Sequence, residues 1–140
     1  MRLLVCATAL FTLYAGYAGG KDDGRVPGGS EVYPPFGWIN FCGRMPKECE
    51  PSAGLGPVHT LTEERRQELL AVNHGVNHLI IQATDRDNYG VEEHWAYPDD
   101  GFGDCEDYAL LKRKMLLQAG WPSSQLLLAF VYGKDAGAHA

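Results

Sequence analysis

The most informative stretch of the sequence is Gly101-Phe102-Gly103-Asp104-Cys105-Glu106-Asp107-Tyr108. It places a cysteine on the first turn of a predicted helix, directly after an aspartate suited to the N-cap position. Backbone N–H groups and the helix dipole at such a position favour the thiolate, and the Cys105 N–H is placed to join an oxyanion hole. The two glycines let a carbonyl substrate approach the backbone closely. This pattern is typical of a nucleophilic cysteine, although a small buried residue at a helix start would give the same spacing.

Five carboxylates lie within nine residues around this cysteine, at Asp99, Asp100, Asp104, Glu106 and Asp107. Without compensation, they disfavour the thiolate by like-charge repulsion. A bound hard cation would offset their charge, and carboxylate oxygens suit calcium. The alternative is a capped, solvated helix start without a metal, and the residues themselves favour neither interpretation.

Apolar periodicity predicts two longer helices. The first begins at a Thr60-x-x-Glu63 capping box. The second spans Asp104 to Ala119 and ends where Gly120 precedes Trp121-Pro122. The expected core residues of the two helices are Leu69, Val72, Val76, Leu79, Ile80, Leu110, Leu111, Met115 and Leu116.

The sequence pattern of the C-terminal part predicts a pair of strands. Gln125 to Tyr132 is a nearly unbroken apolar run, which is typical of a buried strand. A glycine-containing turn follows, and His139 lies where the next antiparallel strand would start, which makes it the most suggestive general base. His74 and His78 have zinc-ligand spacing, but the stretch lacks the glutamate that a zincin needs after its first histidine, so a polar helix face is the better interpretation.

The N-terminal segment has the pattern of a secretory signal peptide. Met1-Arg2 precedes an apolar run, and small residues follow up to Ala18. We expect a signal peptide at 1–18, a flexible leader at 19–30, and one domain at 31–140 that is periplasmic or secreted without stable membrane insertion. The net charge of −6 and the pI of about 5.2 argue against nucleic-acid binding.

Cleavage of the signal peptide would remove Cys6, and export would place the three remaining cysteines where disulfides can form. Cys42 and Cys49 lie in an irregular segment, 32–56, for which we expect at most a short strand, and they predict a disulfide-closed loop. Cys105 would then keep its thiol, which could be reactive, buried and inert, or bonded to another chain.

The residues around Cys105 resemble those of the bacterial transglutaminase-like cysteine peptidases, a group that includes the periplasmic peptidase that clips large surface adhesins. The resemblance is carried by Gly103-Asp104-Cys105-Glu106-Asp107-Tyr108-Ala109-Leu110-x-Lys112 and runs from about Gly37 to the C-terminus. It includes Trp38-x-x-Phe41-Cys42, Pro46-x-x-Cys49 and the Ala138-His139 step.

This resemblance implies an α+β fold with a papain-like, transglutaminase-like core, in which the nucleophile helix packs on an antiparallel sheet. It implies that Cys105 is the nucleophile and His139 the base in acyl transfer through a thioester on protein amide bonds. A surface adhesin is the kind of protein substrate that it suggests. In the adhesin-clipping type, the positions of Asp104 and Glu106 bind calcium.

The family's third catalytic residue is an aspartate on a strand beyond the histidine, and no position before Ala140 can take that role in the family's order. We therefore expect a domain whose C-terminal strands are missing and whose activity is weak or absent. The alternative is a catalytically inactive exported calcium-binding or regulatory module of the same fold.

Overall fold

The computed structural model describes residues 31–50, 60–133 and 137–139, so the predicted signal peptide and leader at 1–30 lie outside the described residues. The helices are α1 (Phe36–Arg44), α2 (Glu63–Leu79), α3 (Asp85–Tyr89) and α4 (Cys105–Gln118), with 3-10 turns at Pro46–Cys49 and Ser123–Gln125. The strands are β1 (Ile81–Gln82), β2 (Phe102–Gly103), β3 (Val131–Gly133) and β4 (Gly137–His139). Among the described residues, no helix has the length and apolar character needed to span a membrane.

The segment around α1 is closed by the expected disulfide, but it is helical rather than irregular. The predicted Cys42–Cys49 bond is confirmed. The short strand expected here is wrong for residues 31–50, which form a helix followed by a 3-10 turn. The helix forms because it buries Phe41 in a core cluster with Trp95 and Leu110. We call residues 36–49 the disulfide module.

Helix α2 begins two residues later than predicted. Thr62, not Thr60, is the N-cap, and its hydroxyl accepts a hydrogen bond from the Arg65 N–H at 3.3 Å. The predicted Thr60–Glu63 capping box is therefore wrong. Of its expected core residues, Val76 is fully buried, whereas Leu79 is 66% exposed.

Helix α4 has the predicted position, with Asp104 at its N-cap and Gly120 just beyond its end. It packs along α2, and its start contacts β2. Leu110 and Leu116 are buried as predicted, whereas Met115 is exposed. The amphipathic pattern thus located the helix more accurately than it located the individual core residues.

The strands form two small sheets. β1 and β2 are parallel, with Ile81 opposite Phe102, and β3 and β4 are antiparallel, with Val131 opposite His139. The mixture of helices with short strands is compatible with the predicted α+β class.

The buried strand predicted for Gln125 to Tyr132 is wrong for residues 125–130, whereas Val131 and Tyr132 lie in β3. The antiparallel strand expected at His139 is confirmed as β4. Residues 126–130 have no regular structure, and Leu127 is 71% exposed. A strand becomes regular only through its hydrogen-bonded neighbours, and in the described part of the chain β3 pairs with β4 alone.

Candidate active site

The candidate site lies where β2 passes into α4. Gly103 ends β2, Asp104 is the N-cap without a side-chain capping bond, and Cys105 is the first helical residue. Cys105 is half-buried and keeps its thiol, as predicted, and the Sγ lies 3.1 Å from Glu106 Oε2. In that contact the carboxylate accepts from the thiol, and so it stabilises the protonated form of the sulfur.

Three carboxylates converge beside the thiol. One oxygen each from Asp85, Asp104 and Glu106 lies within 4.8 Å of the other two. Asp85 and Glu106 are buried, and Asp104 Oδ1 is buried without a hydrogen-bond partner among the described residues. Burial, followed by the neighbouring Glu106, raises the pKa of Asp104 to about 6. The positive charge of Arg44 opposes the raised pKa of Asp85, whereas at Asp104 burial and Glu106 outweigh the hydrogen bonds that favour the carboxylate.

Asp85 reaches this cluster from the start of α3. Burial raises its pKa, and a hydrogen bond from the His94 N–H to Asp85 Oδ2 opposes that shift. The family resemblance predicted Asp104 and Glu106 as metal ligands but not Asp85. Asp85 opens a stretch that starts like a calcium loop, but that stretch departs from the EF-hand pattern at Tyr89 and Ala96 and therefore does not identify Asp85 as a ligand.

The cluster fits a hard divalent cation. Calcium binds oxygen ligands at about 2.3–2.6 Å, so two oxygens on one ion lie at most about 5 Å apart. The 4.8 Å limit on the three carboxylate oxygens meets that condition, and the buried Asp104 Oδ1 offers an acceptor that no described donor uses. His74 and His78 are exposed on α2, and no histidine joins a cluster of three metal-binding side chains within the described ranges.

A fourth carboxylate, Asp107, has a different environment. Its side chain is completely buried, and Oδ1 accepts a hydrogen bond from the Ala96 N–H at 2.8 Å. Its Oδ2 has no partner in the described part of the structure. Burial is the main cause that raises the pKa of Asp107 to about 7, and the Ala96 N–H opposes it.

Residues 94–97, which we call the strap, connect the site to the disulfide module. The N–H groups of His94 and Ala96 point to the site and bind Asp85 and Asp107. The two donors are two residues apart, as expected where successive residues of an extended chain face opposite sides.

The other two strap residues bind the disulfide module. The Trp95 carbonyl accepts from Arg44 Nη2 at 2.5 Å, and the Tyr97 hydroxyl donates to Glu48 Oε2 at 2.7 Å. The Tyr97 ring also meets Phe41 edge to face, with 5.8 Å between centroids. Burial and the Glu48 carboxylate raise the pKa of Tyr97, so its hydroxyl remains a donor at neutral pH. The strap is thus held on both sides.

Of the predicted site residues, the structure brings Asp104, Cys105 and Glu106 together at one helix start. His139 lies on β4, opposite Val131, but its side chain lies outside the described part of the structure. The pairing of Cys105 with His139 therefore stays a prediction.

Comparison with known proteins matches the chain to a family model. A family model described as bacterial transglutaminase-like cysteine proteinase (BTLCP) matches residues 28–140, which is more than half of the chain. No curated protein and no solved structure matches the chain.

Proposed function

The chain belongs to the family of bacterial transglutaminase-like cysteine proteinases, and from this membership we propose that it is an exported cysteine peptidase with Cys105 as nucleophile and His139 as general base. The observation that carries the proposal is the position of Cys105. It is the first residue of a 14-residue helix and directly follows a β-strand and an N-cap residue. Backbone N–H groups at this position favour a thiolate and the oxyanion of a reacting carbonyl.

A chain of contacts supports His139 as the base. Its strand, β4, pairs with β3, and the residue before β3 is Phe130. The Phe130 ring lies 6.4 Å from the ring of Trp95 in the strap. The strap in turn binds Asp107 on the first turn of α4. The strand β3, which pairs with the strand that carries His139, therefore follows a residue that contacts the same strap as the nucleophile helix.

The proposed reaction is acyl transfer through a thioester. The Cys105 sulfur forms a bond to the amide carbon, and His139 passes the thiol proton to the leaving amine as the C–N bond breaks. Water then attacks the thioester, which releases the acid and returns the thiol. Water as acceptor gives a peptidase, the outcome that the family's description favours. A protein is the substrate, and the resemblance to the adhesin-clipping type favours a surface adhesin.

Asp85, Asp104 and Glu106 are the proposed ligands of a calcium ion. When bound, it would offset the negative charge beside the thiol. Calorimetry on the metal-free protein should detect calcium binding that Asp85→Asn weakens at least tenfold. Asp99→Asn is the matched control, because Asp99 is exposed and outside the cluster. Equal affinity in both variants would contradict this ligand set.

The acidic cluster also favours a second candidate, a catalytically inactive exported calcium-binding module. The contact of Cys105 Sγ with Glu106 agrees with it, since it stabilises the unreactive thiol. Reactivity separates the two candidates. Rapid alkylation of Cys105 by iodoacetamide at neutral pH supports the enzyme, and an inert thiol in calcium-loaded protein supports the module.

The decisive experiment is proteolysis of a fluorescein-labelled unfolded protein, such as casein, by the purified chain in calcium. Hydrolysis that Cys105→Ala and His139→Ala each abolish would support the assignment. Hydrolysis that persists in Cys105→Ala would refute it. Loss of iodoacetamide labelling in the same Cys105→Ala variant would show that the alkylated thiol is that of Cys105.

A further inference from the structure

Asp107 lies on the first turn of α4, the same turn as Cys105. Asp107 is 0% exposed, and its Oδ1 is 2.8 Å from the Ala96 N–H. It does not belong to the three-carboxylate cluster that fits calcium. A fully buried carboxylate is costly to retain in a protein, so a specific role for this side chain is expected.

Gly103 packs directly on this side chain. A Cβ at Gly103 would lie 2.8 Å from Asp107 Cβ and 2.9 Å from Oδ2. The backbone of Gly103, just before the helix, and the side chain of Asp107, on its first turn, are therefore in contact. Cys105 lies between these two residues in the sequence. A shift of the Asp107 side chain toward Gly103 would therefore press on the backbone two residues before the cysteine.

The strap behind Asp107 is itself immobilised. Trp95 is 3% exposed, its carbonyl binds Arg44, and its indole would collide with a Cβ at Gly37 at 2.3 Å. The Ala96 N–H is therefore held in place by the disulfide module and offers Asp107 a fixed donor.

We propose that Asp107 is the positioning residue for Cys105: it locks the first turn of α4 between Gly103 and the strap, so that the Cys105 N–H and sulfur keep the relative position that acyl transfer requires. This inference rests on the proposed function of Cys105 as a nucleophile. Misplacement of reacting groups by about 1 Å can reduce a rate about 100-fold.

The test compares two reactions of the same thiol. In acylation by p-nitrophenyl acetate, sulfur bonds to the carbonyl carbon, the ester C–O bond breaks, and p-nitrophenolate leaves with the electron pair. A protein donor for the developing oxyanion accelerates this reaction, whereas alkylation by iodoacetamide forms no oxyanion. The ratio of the two rate constants therefore reports positioning and cancels changes in exposure or in thiolate content.

Asp107→Ala should reduce this ratio at least tenfold relative to wild type. Asp107→Asn should restore it to within about threefold, because its amide oxygen can still accept from Ala96. Gly103→Ala should reduce it as well, since the new Cβ displaces the Asp107 carboxylate without removing it. Gly75→Ala is the matched control, because nothing lies within 4 Å of its added Cβ, and it should leave the ratio unchanged.

The outcomes separate the two proposals. Wild-type acylation no faster than that of Cys105→Ala would overturn the nucleophile and this inference together. Acylation by wild type with an unchanged ratio in Asp107→Ala would overturn the positioning role alone. A low ratio in Asp107→Asn would also overturn it, because the charge rather than the hydrogen bond would then be required. If Asp107→Ala does not fold, Gly103→Ala and Asp107→Asn decide the matter.

Discussion

Removal of the Cys42–Cys49 disulfide should destabilise the whole site through the strap. The two cysteines are seven positions apart, so the bond closes a loop of about eight residues. In the chain-entropy model, closure of such a loop removes about 8 cal/mol/K from the unfolded chain, or about 2.5 kcal/mol at 25 °C. Since about 1 kcal/mol corresponds to about 4 °C in a domain of this size, the double variant Cys42→Ser/Cys49→Ser should melt about 10 °C lower.

The assay is urea unfolding at pH 7 followed by tryptophan fluorescence, since Trp38 and Trp95 both pack in the core cluster next to this bond. The double variant and its parent protein both carry Cys105→Ser, which prevents exchange of the disulfide with the thiol of Cys105. The reduced parent protein is the control, because it lacks the bond but not the sulfur atoms. A loss below about 0.5 kcal/mol in both the variant and the reduced protein would refute the reasoning. In that case the packing of Phe41 would hold the module without closure.

Further predictions concern packing and pH. Gly37→Ala should destabilise the fold by about 1–3 kcal/mol, because the new Cβ meets the Trp95 indole at 2.3 Å. Gly43→Ala in the same helix meets nothing within 4 Å and should stabilise it by about 0.5 kcal/mol; urea unfolding of the two variants checks the sign of each effect. Burial raises the pKa of Asp104 to about 6 and of Asp107 to about 7. Protonation of these groups therefore favours the folded state, so their contribution to the stability of the metal-free protein is complete below about pH 4 and is lost as the pH rises through 6 and 7. Unfolding in EDTA between pH 4 and 8 tests this, and stability that is constant or rises over that range would contradict it; saturating calcium should reduce the slope.

The sequence predicted the elements whose signals are local. Helix α4 lies where Asp104 and Gly120 predicted it, although Asp104 forms no side-chain capping bond. Gly120 has a left-handed φ of 84°, which ends the helix within its own turn. The disulfide was predictable from spacing, since a short loop brings its ends together at little entropic cost. The strand predicted from the apolar run at Gln125 to Tyr132 was wrong for residues 125–130, because strand formation depends on neighbouring strands that periodicity does not reveal.

The site was predictable only in part, for the same reason. Asp104, Cys105 and Glu106 are adjacent in sequence, whereas Asp85 joins them through the parallel pairing of β1 with β2. That pairing places the residues after Gln82 beside those after Gly103. No local signal contains this register, so the third carboxylate of the cluster required the structure.

The strap explains how four neighbouring carboxylates can have separate roles. His94 and Ala96 each donate one N–H, the first to Asp85 in the cluster that fits calcium and the second to Asp107 outside it. Because the two donors belong to one rigid segment, a disturbance of the disulfide module should affect both carboxylates. A substitution at one carboxylate should affect only its own function. Asp85→Asn should therefore weaken calcium binding more than it changes the ratio of acylation to alkylation in saturating calcium, and Asp107→Ala should show the opposite pattern. If both variants changed both quantities equally, the four carboxylates would act as one unit, and the separation of metal binding from positioning would be wrong.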